Sequence, residues 1–415
     1  LDRLKTLFGE GDGKMTYSRE AHPDRARTPA GLLFLFGAAL GAHLGLTFMS
    51  LPPALDLLKD LYGLSYAGVA ALVSAIIWSH TALQIPAGLI TDRIGTGRSL
   101  LAGLLIIAGG GLLSSPAPWL GLGLAGRAVS GVGTGLAFAS AMKLMASRAP
   151  EGRTGFFQGV LGGFFSLGGV AAFLIVPLII PLGWRAVYLA GVVTALLPLA
   201  LLPGLGLFPA SGRKPASWPL GRIVRSRIGW RLGLYHALCY GGMLTLGSWA
   251  AALLSEVWPG RTTLHLAWAG GLSMLVSGLG RLLGGLVLFQ VPPRPLIRLS
   301  LLGLSLSFLG LSLVTGPIPV IGLLVLSSCF ASLNFGAVFQ IASGAAGQGS
   351  AASMIGLVNF IGNGGAIFST MLFGYVKDIS GSLSWGFLCL AVAGAGVACL
   401  GLETTPGEPD PAGER

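Results

Sequence analysis

The feature that most constrains this chain is a succession of long, continuously apolar runs separated by short polar or Pro/Gly-rich breaks. The runs lie near 31–55, 66–91, 98–115, 118–146, 154–180 and 186–208, and a second set lies near 230–254, 264–290, 297–316, 317–341, 350–375 and 383–402. Each approaches the ~20 residues that an α-helix needs to cross ~30 Å of hydrocarbon. Apolar residues do not alternate with polar ones, which excludes a membrane β-barrel. Composition agrees: 10% of the 415 residues are charged, 53% are hydrophobic, and mean hydropathy is +0.79. A water-soluble fold carries roughly 25% charge to cover its surface. The predicted fold class is therefore an all-α membrane protein with twelve transmembrane helices, and its lipid bilayer is the first partner implied. A net charge of +11 would suggest nucleic acid in a polar protein. Here the basic residues are dispersed between apolar runs, so no nucleic-acid surface is expected.

Residues 1–29 are polar and mixed in charge, without the apolar core and cleavage site of a signal peptide, and read as a tail. Nineteen of the 26 Lys and Arg residues fall on the side of the amino terminus, against four opposite, Lys59, Arg185, Arg261 and Lys377. The remaining three, Arg127, Lys143 and Arg281, lie within spans. The positive-inside rule then places both termini in the cytoplasm. Arg outnumbers Lys 20 to 6 beside heavy Gly, Ala, Leu and Pro usage, the bias of a GC-rich prokaryotic genome, so the expected location is a cell inner membrane. The charge- and Pro-rich connection after residue 208 divides the chain into a tail (1–29), a six-helix bundle (30–208), a cytoplasmic linker (209–229), a second six-helix bundle (230–402) and a tail (403–415). The four cysteines, Cys239, Cys329, Cys389 and Cys399, lie in apolar runs and read as small buried hydrophobes. No metal or other cofactor is expected, and the chain is read as a monomer.

The two sets of runs repeat. A shift of 197 residues carries Gln84 to Arg281, Gly88 to Gly285, Gly159 to Gly356, Ser166 to Asn363 and Gly168 to Gly365. One offset thus relates the second span to the eighth and the fifth to the eleventh. Two parallel, pseudo-symmetric six-helix repeats enclosing a midplane cavity are the architecture of a secondary transporter.

The segment Gly88-Leu-Ile-Thr-Asp92-Arg93-Ile-Gly95-Thr-Gly-Arg98, between the second and third spans, resembles the signature loop of the major facilitator superfamily. Gly97 stands where that loop is usually basic. Gly126-Arg127-Ala-Val-Ser-Gly131-Val-Gly133-Thr-Gly135 resembles the superfamily's fourth-helix motif, and Trp184-Arg185 after the fifth span is similarly placed. The resemblance covers residues 30–402 and implies alternating access. Gly88, Asp92, Arg93 and Arg98 are expected to form a conformational latch. Asp92 would accept from a neighbouring helix end while Arg93 and Arg98 pair across the cytoplasmic seam. In the second half Phe289 occupies the place of the acid.

Ionisable residues inside a span cost at least ~2.5 kcal/mol to insert and mark function. All fifteen acidic residues lie in tails, loops or span ends, so no mid-membrane carboxylate is available to cycle a proton. Arg281, well inside the eighth span, has no acid to neutralise it, and its planar fork suits a bidentate anion. Ser277-Gly-Leu-Gly-Arg281 and Gly356-Leu-Val-Asn359-Phe-Ile-Gly362-Asn363 resemble the nitrate/nitrite porter branch, which pairs an Arg in helix eight with one in helix two; Gln84 replaces the latter here. Organic-anion exchangers with one Arg in helix eight fit equally. The expected substrate-binding set is Arg281, Gln84, Arg127, Asn363, Ser166, His43, His236, Tyr235 and Tyr240, with His80 a further proton carrier. Lys143, close to the end of the fourth span, is expected to snorkel to the headgroups.

The leading reading is a transporter, not an enzyme, for a small inorganic anion such as nitrate or nitrite, or an organic carboxylate. It would run as an antiporter against a counter-anion, or with protons. The alternatives are proton-coupled efflux of hydrophobic or drug-like compounds and, in another class, a non-transporting membrane sensor or scaffold.

Overall fold

A computed structural model describes residues 28–64, 66–207, 220–259 and 263–399. The expected tails and most of the expected linker lie outside the described residues. Every expected run is occupied by helix, and there is no strand among the described residues. Nine helices are long and apolar enough to cross a membrane, among them Leu120–Arg148, Thr154–Leu182, Gly270–Val287 and Gly349–Lys377. A tenth passage is a bent pair, Ala71–Ala82 and Gln84–Ile94, meeting at 51°. The seventh and twelfth runs are the helices Arg227–Val257 and Ser384–Ala398.

The bend in the second passage has a local cause. Pro86 has no N–H to return to the carbonyl four residues back, so the helical ladder is interrupted around Leu83. The corresponding residue of the eighth passage is Leu283, and Thr263–Val287 runs unbroken. Asn334 marks a milder break in the tenth passage, between Pro317–Leu333 and Phe335–Ala345.

The bundle is apolar on its outer surface, and its largely apolar interior also encloses polar side chains. Leu178, Leu306, Leu313 and Ile318 are exposed, whereas Gln158, Thr134, Ser300 and Ser327 are fully buried. A soluble protein covers its surface with charge, and a lipid solvent accounts for the apolar exterior here. The cysteines divide: Cys239 is buried as expected, but Cys389 and Cys399 are exposed, because an apolar surface in lipid does not have to be hidden.

Within the first half the first passage packs on the fifth and the third on the fourth; within the second, the seventh packs on the eleventh and the ninth on the twelfth. Two seams join the halves, Gln84–Ile94 against the eleventh helix and the fifth against the eighth. They obey the sequence repeat. A Cβ at Gly88 would lie 2.6 Å from Ser353 Cα, and one at Gly285 would lie 2.9 Å from Phe156 Cα. A shift of 197 converts the first pair into the second with the partners exchanged. The same holds for Gly356 against the Gln84 carbonyl and Gly159 against the Arg281 carbonyl. The halves are thus related by a pseudo-two-fold axis, and only glycine permits backbones this close.

Candidate functional site

A small, narrow cavity lies where the halves meet. The first half contributes Leu44, Phe48, His80, Phe138 and Phe165, and the second contributes His236, Tyr240, Arg281, Phe335, Asn359 and Asn363. Four of the predicted site residues therefore share one space: Arg281, His236, Tyr240 and Asn363. His236 and Tyr240 are one turn apart on the same face and stack, with ring centroids 5.4 Å apart.

Arg281 is only 3% exposed. One terminal nitrogen donates to the Gly162 carbonyl at 2.9 Å and the other contacts Met243 Sδ at 3.2 Å. The guanidinium lies over the Phe335 ring at 4.4 Å and near Tyr240 at 5.9 Å, so ring faces partly compensate the charge. Its Nε has no hydrogen-bond partner among the described residues, and neither has Asn363 Nδ2. Asp92 is the one buried carboxylate among the described residues, and it does not line the cavity. What remains is a desolvated cation with donors to spare and no counter-charge.

The other predicted residues are placed elsewhere. Gln84 is buried and its amide nitrogen meets His80 Nε2 at 2.5 Å, so it touches the cavity only through His80, whose Nδ1 bonds Thr134 Oγ1 at 3.0 Å. Ser166 is buried and does not line the cavity, and its hydroxyl has no partner among the described residues. His43 is bonded to Thr194 Oγ1 at 2.9 Å inside the first half. Tyr235 turns away and donates to the Ala398 carbonyl. Arg127 lines a separate small cavity with Ser130 and Tyr188. It donates to the carbonyls of Thr47 (2.8 Å) and Phe48 (3.1 Å), at the end of the first passage, and so ties helices together. Asn334 likewise joins helices, donating to Cys239 Sγ at 2.9 Å.

The latch departs from expectation in its basic partner. Asp92 is fully buried and accepts from the backbone N–H of Ser353 at 2.9 Å and Ala352 at 3.3 Å, as well as from the Ser353 hydroxyl. These groups belong to the early turns of the eleventh helix, across the seam. Its ion pair is with Lys143 Nζ, at 2.6 Å. Lys143 therefore does not snorkel. Its ammonium meets instead the buried carboxylate of Asp92 on a neighbouring helix. Arg93 and Arg98, expected to pair across the seam, are exposed and make no ion pair among the described residues.

Sequence reasoning missed Phe335, Phe138, Asn359 as a wall residue, and Lys143. The 197-residue shift carried the signal for three of them: it superposes Phe138 on Phe335, and it carries Lys143 to Gln340 alongside Asp92 to Phe289.

Two six-helix repeats meeting around a central cavity are the architecture of a membrane transporter. The model of the Major Facilitator Superfamily matches residues 34–370, and the chain belongs to that superfamily. Among curated relatives, the cyanate transport protein CynX of Escherichia coli is 25% identical over 370 residues, covering 86% of this chain and 93% of CynX. The probable sulfoacetate transporter SauU of Cupriavidus necator is 23% identical, covering 81% of this chain and 84% of SauU. Among solved structures, E. coli FucP in its outward conformation superposes with a TM-score of 0.73 at 19% identity, covering 88% of this chain and 96% of FucP.

Proposed function

We propose that the chain carries small monovalent anions across a membrane by rocking its two halves, 30–208 and 230–402, about the central cavity. The observation that carries this reading is Arg281, buried in the cavity wall with no acid beside it and with Nε unbonded. Leaving an isolated charge in a low-dielectric site is costly, and an arriving anion removes the cost. Asn363 Nδ2 offers a second free donor. A single fixed charge suits a single negative charge, and the aromatic walls suit a weakly hydrated ion over a strongly hydrated one. The name of CynX, a transporter of the monovalent cyanate, supports the same class, while that of SauU, whose sulfoacetate carries two negative charges, supports anions more broadly.

With the termini cytoplasmic, as the charge bias implies, the Asp92 end faces the cytoplasm and the described state is closed on that side. The aromatic lining supports a second reading, export of hydrophobic compounds, which predicts transport without movement of negative charge.

Counterflow in proteoliposomes against cyanate, nitrate, nitrite and lactate separates the readings. Arg281→Ala is expected to lose about 100-fold in rate, the equivalent of a charge-assisted bidentate contact. Tyr235→Phe, which faces away from the cavity, is expected to match the parent. Undiminished anion counterflow by Arg281→Ala refutes the assignment.

A further inference from the structure

A carrier with no carboxylate in its cavity needs another group if protons are to travel with the cargo. The described cavity holds three titratable side chains besides Arg281: His236 and Tyr240 on the seventh helix and His80 on the second. Around them the tenth helix presents Phe335, the eleventh Asn359 and Asn363, the fourth Phe138, the fifth Phe165 and the first Leu44 and Phe48, none of which is charged. His80 has both ring nitrogens engaged within its own half, by Thr134 and Gln84. His236 is built differently. It shares two rings with Arg281: its imidazole lies 5.4 Å from Tyr240 and 6.0 Å from Phe335, the rings that the guanidinium approaches at 5.9 and 4.4 Å. Asn359 of the eleventh helix lines the same cavity.

The geometry points to His236 as the proton carrier that responds to occupancy of Arg281, so that one anion and one proton cross together as an electroneutral pair. This rests on the anion-site reading above. With Arg281 uncompensated, an imidazolium across the same two rings would place two positive charges in one poorly solvated space. An anion on Arg281 cancels one of them and offers the imidazolium a counter-ion. A proton from bulk water then adds to a ring nitrogen of His236 while the anion is bound, and returns to water on the other side once the anion has left. By linkage the effect is reciprocal, so protonation tightens anion binding. Without coupling, net anion movement would charge the membrane and halt.

The test uses purified full-length protein and sodium cyanate. In proteoliposomes with a trapped pH dye, an inward cyanate gradient is expected to acidify the lumen with one proton per labelled cyanate. The apparent cyanate affinity is expected to rise about tenfold as pH falls from about 8 to about 6. His236→Gln keeps a polar side chain of similar length in the cavity and is expected to exchange labelled for unlabelled cyanate while losing both the proton movement and the pH slope. The ratio of protons to cyanate, unlike the rate, does not change when a variant is merely impaired. His43→Gln, outside the cavity, is expected to keep the parent ratio. Coupling that survives in His236→Gln, or that disappears in His80→Gln alone, overturns the proposal. Electrogenic cyanate uptake without protons overturns it while leaving the anion site standing, whereas no cyanate exchange by the parent removes both.

Discussion

The two seams that join the halves are equivalent by the repeat but opposite in chemistry. At the second–eleventh seam a buried acid, Asp92, is held by Lys143 and by the backbone and hydroxyl of Ser353. At the fifth–eighth seam each of these residues is replaced, Asp92 by Phe289, Lys143 by Gln340 and Ser353 by Phe156. There Phe156 and Phe289 lie 5.4 Å apart, Phe34 stacks on Phe156 at 6.4 Å, and Arg153 covers Phe289 at 5.4 Å. Close backbone approach is preserved in both, so the fold needs the glycines, while the adhesive between them is free to vary. The polar seam must break charged hydrogen bonds and rehydrate an ion pair to open. The aromatic seam must only exchange ring contacts for water or lipid.

That contrast can be broken by mutation. The largest effect is expected from Asp92→Asn, which strands Lys143 and weakens the bonds from Ser353. Removing one partner of a buried pair costs about 3 kcal/mol or more, so the closed state should lose about 100-fold in population. Cysteine accessibility at the Asp92 end would report it. A double-mutant cycle with Lys143→Gln should show a coupling of about 1 to 3 kcal/mol in thermal or chemical unfolding. Additive effects would mean that the pair does not hold the seam.

A smaller effect is expected from writing the polar chemistry into the aromatic seam. Phe289→Asp places a carboxylate at the position equivalent to Asp92, here 47% exposed, and removes the ring contact with Phe156, which should lower Tm modestly. Adding Gln340→Lys should recover part of the loss if the seams are truly equivalent. No recovery would show that the symmetry extends to the backbone but not to side-chain positions. Arg153→Gln removes only an exposed cation–π contact and should change transport by about two- to fourfold, corresponding to about 0.5 to 1 kcal/mol.

Much of the fold was legible because lipid imposes a strong rule: every apolar run is occupied by helix, with two of the runs each split into two helices. The repeat was equally legible, since backbone contact between helices demands glycine at symmetric positions. The site was harder. Sequence gave the depth of Arg281 and its lack of an acid, yet it could not say which neighbours would face it. Tyr235 and Tyr240 lie on one helix five residues apart, which turns them about 140° from each other, so only one can share the face of His236. Helical geometry could have excluded Tyr235. Lys143 was misread because position along a helix fixes depth but not the residue on the adjacent helix. Phe335 and Phe138 were overlooked because an aromatic ring in an apolar run looks the same whether it faces lipid or cargo. The bend at Leu83 was available from Pro86, but the milder break at Asn334 has no such marker.

The most direct test of the central claim is a binding comparison between the parent and Arg281→Gln by thermal unfolding, across a cyanate series at fixed pH and ionic strength. The claim requires a saturable, dose-dependent rise in Tm for the parent, with chloride as the reference salt, and a flat response for the variant. Equal stabilisation of both proteins by cyanate would place the anion somewhere other than Arg281 and contradict the account.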